Sequence, residues 1–199
     1  MATLFESPTM TLVLGLLSGA AGDGVSASAA TRSLGTNLES TQRALHRLKA
    51  ANVVASHRRG REVVFSLDRN SAAFQPVRSL GLEVGSLGAG LQRATTELGP
   101  HAVEVAFVYG SIAAGTDAAH SDMDLFIVGE ASLHQLVPHF WEWTDRWGRE
   151  VNPLVKTASS FARALADGRG FYRAVMDGPR IFVLGSANVL HSMVEVVAA

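Results

Sequence analysis

Asp122 and Asp124 stand one residue apart at the head of an apolar run, Leu125-Phe126-Ile127-Val128. In a strand, residues two apart point to the same face, so both carboxylates leave one side of the chain. Two like charges held together are unfavourable unless a cation sits between them. Hard oxygen ligands of this kind suit Mg²⁺, which binds through one or two carboxylates and completes its shell with water and substrate phosphates. Gly110-Ser111 comes before Asp122 with ten residues between them, and is itself preceded by the apolar run Val103 to Tyr109. Gly110 permits close approach of a phosphate, while Ser111 and the amides after it offer donors at a helix start. Gly110 and Ser111 for a nucleoside triphosphate, with Asp122 and Asp124 for the metal and the chemistry, make a coherent candidate site. A lone Asp-x-Asp is more often a solvated strand end. The Gly-Ser turn between two hydrophobic strands distinguishes this one.

The stretch YGSIAAGTDAAHSDMDL (109–125) resembles the Gly-Ser, ten residues, Asp-x-Asp signature of the DNA polymerase β-like nucleotidyltransferases, and within them the minimal nucleotidyltransferase domains. The resemblance covers about residues 90–199. It implies a mixed sheet flanked by helices, a nucleotide with Mg²⁺ at Gly110, Ser111, Asp122 and Asp124, and transfer of a nucleoside monophosphate to a protein, RNA or small molecule. It also implies a third carboxylate on a later strand. In the candidate strand Glu150 to Lys156 the best-placed residue is Asn152, a neutral amide that cannot act as a base. Glu150 shares its strand parity and is the possible substitute. This departure puts transfer in doubt without removing nucleotide binding.

A second function is suggested by charge. Residues 1–70 carry eight Lys/Arg against five Asp/Glu, whereas residues 71–199 carry nine against thirteen. From Ser40 to Arg61 there are six basic residues and no acid. Such a segment is either a solvated face or a contact for a polyanion. Apolar periodicity predicts a helix from about Leu38 to Ala51, with Leu38, Thr41, Leu45 and Leu48 inward and Gln42, Arg43, His46 and Arg47 outward. A helix starting at Ser7-Pro8, with Leu12, Leu16 and Leu17 on one face, and a short segment from Ser26 to Leu34 precede it. Two β-rich runs, Val53 to Ser56 and Glu62 to Leu67, flank the basic tip His57 to Arg61 and predict a hairpin.

This order resembles the winged helix-turn-helix of arsenic-repressor-like transcriptional regulators over about residues 4–70, chiefly in ESTQRALHRLKAANVV and SHRRGREVVFSL. The resemblance implies double-stranded DNA as partner, with Gln42, Arg43, His46 and Arg47 in the major groove and Arg58, Arg59 and Arg61 on the wing. A winged helix used for protein contacts is the alternative. Fusions of such a module to a nucleotidyltransferase-like domain resemble a known group of regulators.

Between the modules, Val77, Leu80, Val84, Leu87, Leu91, Ala94 and Leu98 recur at spacings of three and four, predicting one helical seam over 74–98. The seam either packs internally or makes a homodimer. Four glycines in it weaken the helix but admit a second backbone. Downstream, Gln135 to Trp147 reads as an amphipathic helix whose Phe140, Trp141, Trp143 and Trp147 suit a core or dimer contact. Arg169, Arg173 and Arg180 are weaker candidates for phosphate contact.

The chain contains no cysteine among its 199 residues, which excludes disulfides, thiolate metal sites and cysteine nucleophiles and suits a reducing compartment. The apolar run Met10 to Leu17 is too short for a membrane span, so a cytoplasmic protein with no membrane partner is expected. The expected layout is α+β or α/β in two domains: a winged helix (1–70), a long connecting and dimerising helix (71–99), and a nucleotidyltransferase-like domain (100–199). The first functional expectation is a DNA-binding transcriptional regulator whose second domain binds Mg²⁺–nucleotide as ligand or is degenerate. Active nucleotidyl transfer is the alternative, with an antitoxin-like protein facing a helical toxin-like partner as the third.

Overall fold

The computed structural model describes residues 7–22, 24–168 and 170–198, the last four of these by backbone alone. Residues 4–6 and Arg169 thus lie outside the described residues. The protein is mixed α and β, with two small sheets, and its chain divides into two compact units. Unit 1 comprises residues up to Ser86 together with Ala118–His120 and Trp143–Arg149; unit 2 comprises the remainder. No helix among the described residues is long and apolar enough to cross a membrane.

Unit 1 is built on helix α1 (Pro8–Gly19), where Pro8 occupies the first turn and sacrifices no hydrogen bond. A single apolar face was the expectation here. Instead Val13 to Gly19 are buried on every side, while Leu12 is half-buried. A helix apolar all round belongs at the centre of its unit. Strand β1 (Val25–Ser26) follows, then α2 (Ala27–Leu34), capped by Ser26 Oγ accepting from the Ala29 amide at 3.3 Å. Helix α3 (Leu38–Ala50) is capped by Asn37 Oδ1, which accepts from the Ser40 amide at 2.8 Å. Thr41, Ala44, Leu45 and Leu48 face inward. Leu38 has the right helical phase but is 45% exposed at the first residue of the helix, so phase alone does not bury it.

Strands β2 (Val54–Arg59) and β3 (Glu62–Leu67) form the hairpin, and β1 adds to the other edge of β3, giving the antiparallel order β1-β3-β2. The hairpin is tighter than the basic tip suggested. Arg59 pairs with Glu62, so only Gly60 and Arg61 make the turn, and Gly60 takes the positive φ (63°) required at its first central position. His57, Arg58 and Arg59 therefore belong to the strand, and Arg58 and Arg59 leave opposite faces of it.

The single helix expected over 74–98 is two helices, α4 (Phe74–Val84) and α5 (Leu87–Leu98). Ser86 Oγ lies 3.2 and 3.3 Å from the Gly81 and Leu82 carbonyls and occupies acceptors that the interrupted helix leaves open. Val77, Leu87, Leu91 and Ala94 of the seam are buried within the chain, while Val84 and Leu98 are exposed. The seam is thus largely internal packing and does not stand out as a stripe for a second copy. Gly81 and Gly85 do admit a second backbone, but that backbone is α1, while Gly90 lies against the His139 carbonyl. A Cβ on Gly15 would overlap the Gly85 carbonyl, and one on Gly85 would overlap the Thr11 carbonyl.

Side chains complete the C-terminal end of α1. Arg78 Nε donates to the Ser18 carbonyl, Arg149 Nε to the Gly19 carbonyl and Trp147 Nε1 to the Gly15 carbonyl, each at 3.0 Å. Both arginines are buried, and cations at a helix C-terminus meet its negative end. Phe140, Trp143 and Trp147 of the aromatic cluster are buried, whereas Trp141 is 56% exposed.

Unit 2 carries β4 (Val105–Tyr109), α6 (Gly110–Ala114), β5 (Met123–Val128), α7 (Leu133–Trp147, its last turn counted with unit 1) and β6 (Val151–Lys156). Then come α8 (Ala158–Ala166), α9 (Gly170–Asp177), β7 (Ile181–Leu184) and α10 (Ala187–Ala198). The sheet order is β6-β5-β4-β7, with β5 parallel to β6 and antiparallel to β4, and β7 antiparallel to β4. Its core is aromatic: Phe107 and its cross-strand partner Phe126 stack at 5.2 Å, and Phe161 and Tyr172 pack against Phe126. Leu125 to Val128 are fully buried, which explains the unbroken apolar run after Asp124.

Alanine at a helical glycine ordinarily stabilises by about 1 kcal/mol. Gly15→Ala should do the reverse, destabilising by about 1–3 kcal/mol because the α1–α4 backbones must part. Urea denaturation reads the sign directly; a stabilised variant would mean that the two backbones are not in contact.

Candidate functional site

The two aspartates are positioned by strand pairing. Asp124, the second residue of β5, lies opposite Tyr109 on β4 and Asn152 on β6. Asp122 precedes the strand by one residue and is exposed; Asp124 is half-buried. Gly110 follows Tyr109 directly, with φ +70°, and a Cβ there would stand 2.6 Å from Asp124 Oδ2. Glycine suits this position for its left-handed backbone, and its missing Cβ leaves the space into which the end of the Asp124 carboxylate reaches. Ser111 is the second residue of the short α6 and is half-buried. Gly110 and the two aspartates thus meet at one end of the unit 2 sheet, with Ser111 adjoining.

Asn152 answers the question raised by its place in the sequence. Its Nδ2 donates to Asp122 Oδ2 at 3.3 Å. An amide here ties down a carboxylate, offers no negative charge and cannot accept a proton. Glu150 is exposed, its carbonyl accepts from the Met123 amide, and it completes no group of three His, Asp or Glu side chains suited to a metal among the described residues. The donor set is two carboxylates and an amide. It fits one hard divalent cation whose remaining ligands are water and phosphate oxygens.

The electrostatics agree with that donor set. Burial pushes the Asp124 carboxyl above its ordinary range, and the neighbouring Asp122 charge pushes it further. Burial likewise raises the Tyr109 phenol, followed by the charge of Asp124 and the proximity of Tyr172. A cation between the carboxylates would offset both desolvation and repulsion.

In unit 1 the second set of candidates is exposed. Gln42, Arg43, His46 and Arg47 occupy one face of α3, and Arg58, Arg59 and Arg61 stand along the hairpin. Arg43 is ion-paired with Glu39 one turn earlier, and the His46 ring meets the Phe65 ring edge-on at 6.1 Å. Gln42, His46 and Arg61 come together around a depression of about 410 Å³, into which Ser26 and Glu62 also project. Arg43 and Arg47 line a smaller depression with Ser40. The remaining arginines are less suggestive: Arg180 lies over the Phe107 and Phe182 rings and donates to Met176 Sδ, and Arg173 is exposed on α9.

One feature of unit 2 was not legible in the sequence. Phe171, 49% exposed, meets Tyr109 edge-on at 6.1 Å and helps form a cavity of about 280 Å³ against Gly110. Its only sequence signal was an apolar residue opening an otherwise basic helix start.

No protein-family model matches the chain, and no curated protein or solved structure matches it either.

A raised carboxyl pKa means that ionising Asp124 destabilises the folded chain. The penalty is absent below the ordinary carboxylate range and grows as pH rises to and through the raised value. Without divalent ions, Asp124→Asn should raise Tm at about pH 7 and change it little at about pH 3, where the Asp124 carboxyl is protonated. An equal gain at both pH values would show a packing effect in place of a charge effect.

Proposed function

We propose that this protein is a DNA-binding transcriptional regulator whose unit 2 holds a Mg²⁺–nucleotide complex as a ligand. The observation that carries the DNA-binding half is the meeting of Gln42, His46 and Arg61, from helix and hairpin turn, around one exposed depression. Side chains with this mixture of donors and acceptors reach base edges, while Arg58 and Arg59 on opposite faces of β2 suit the phosphates that flank a groove. The order α1-β1-α2-α3-β2-β3, with β1 on the outer edge of the hairpin, supports a winged-helix reading of unit 1.

The ligand half rests on Asp122, Asp124 and the glycine space at Gly110. The two aspartates would hold Mg²⁺, and the backbone at Gly110 would meet phosphate. When bound, the ion supplies charge neutralisation for the triphosphate and for the carboxylates themselves. The same parts support a minimal nucleotidyltransferase-like reading of unit 2. Asn152 favours binding over transfer, because loss of a positioned base typically costs about 10²–10⁴-fold in rate. Ligand binding without turnover is the behaviour of a sensor.

Binding to duplex DNA from upstream of the protein's own gene should weaken linearly with log salt, by about 0.9 log units per phosphate contact. Replacing Arg58, Arg59 and Arg61 together by alanine should flatten that slope. An unchanged slope, or no binding at low salt, overturns the DNA-binding half. Calorimetry should show ATP binding that requires Mg²⁺ and is lost when Asp122→Ala and Asp124→Ala are combined; binding that survives the double change overturns the ligand half. Rapid transfer of labelled nucleotide by the wild type would replace the sensor reading with an enzymatic one.

A further inference from the structure

We propose that the cavity beside Gly110 receives the base of the bound nucleotide, and that Phe171 selects purines over pyrimidines by stacking while leaving adenine and guanine nearly undiscriminated. The inference rests on the ligand reading of Asp122 and Asp124 and adds to it which nucleotides are held and by what. The cavity, about 280 Å³, is lined by Tyr109, Gly110, Phe171, Ala174, Val175 and Pro179 together with Gly178. Gly110 is common to this cavity and to the carboxylate pair, since the space of its missing Cβ opens on Asp124 Oδ2. A ligand with phosphates at the carboxylates and a flat apolar group in the cavity would run past Gly110 from one to the other. That is the layout of a nucleoside triphosphate.

The walls indicate how the group is read. Phe171 is held edge-on by two neighbours, Tyr109 at 6.1 Å and Tyr172 at 5.1 Å, yet half of its surface remains uncovered. A ring fixed in orientation and partly open is a stacking platform, and the gain from stacking grows with the area of the partner ring. The described residues lining the cavity carry no charged side chain, and the Tyr109 hydroxyl is their one polar side-chain group. Strong discrimination between rings of like shape requires several placed hydrogen-bonding groups. A single hydroxyl is too little to separate adenine from guanine, which differ only at their edges. Two fused rings cover more of Phe171 than one, which orders purines above pyrimidines.

The test is calorimetry on the full chain with Mg²⁺, using ATP, GTP, CTP, UTP, inorganic tripolyphosphate and adenosine as separate probes. ATP and GTP should bind within about tenfold of each other and roughly 10- to 100-fold more tightly than tripolyphosphate, with CTP and UTP between. Phe171→Ala should bring ATP and GTP down to the tripolyphosphate level and leave tripolyphosphate unchanged. Phe171→Trp should restore the preference, and an unaltered Tm in both variants shows that the fold is kept. Equal affinity for all triphosphates and tripolyphosphate in the wild type overturns the proposal, as does a Phe171→Ala loss that falls equally on tripolyphosphate. If tripolyphosphate fails to bind but adenosine binds through Phe171, the base cavity stands and the carboxylate reading falls. If no probe binds, both fall.

Discussion

Two carboxylates at the head of a buried strand are the constraint around which unit 2 is arranged. The four residues after Asp124 are fully buried, so β5 can shift in neither direction without exposing its core. Pairing on both edges then leaves Asp124 opposite Tyr109 and Asn152, and Asp122 just outside the ladder. The local choices around this point follow from charge. Gly110 has no side chain to press on Asp124 Oδ2, and Asn152 supplies a donor to Asp122 where a third carboxylate would add repulsion. The neutral amide adds no like charge beside Asp122 and Asp124.

Unit 1 solves a different problem. Its central helix is apolar on all sides, which leaves its terminal carbonyls inside the unit and away from water. Buried Arg78 and Arg149 reach two of them from positions 60 and 130 residues away. Leaving such carbonyls unpaired would cost about 1–3 kcal/mol each. On the polar face of α3, Arg43 pairs with Glu39 and the His46 ring meets Phe65. Gln42, Arg43, His46 and Arg47 on that face remain exposed.

Features set by local geometry were legible in the amino-acid sequence. The apolar run after Asp124 marked β5, the 3.6-residue period of α3 separated Thr41, Leu45 and Leu48 from the exposed quartet, and the Gly60 turn announced the hairpin. In each case the determining interactions lie within a few residues, so the sequence states them in full. The seam over 74–98 shows where that logic stops. Its spacing was regular, yet a helix end depends on whether a remote backbone passes close by, and the approach of α1 to Gly81 and Gly85 left two helices where periodicity indicated one. The same holds for Phe171, which owes its orientation to Tyr109 some sixty residues earlier, and for the arginines that end in the core. Burial, partner choice and cavity shape are properties of segments distant in the chain, and only tertiary packing decides them, because each depends on which surfaces the rest of the protein has already covered.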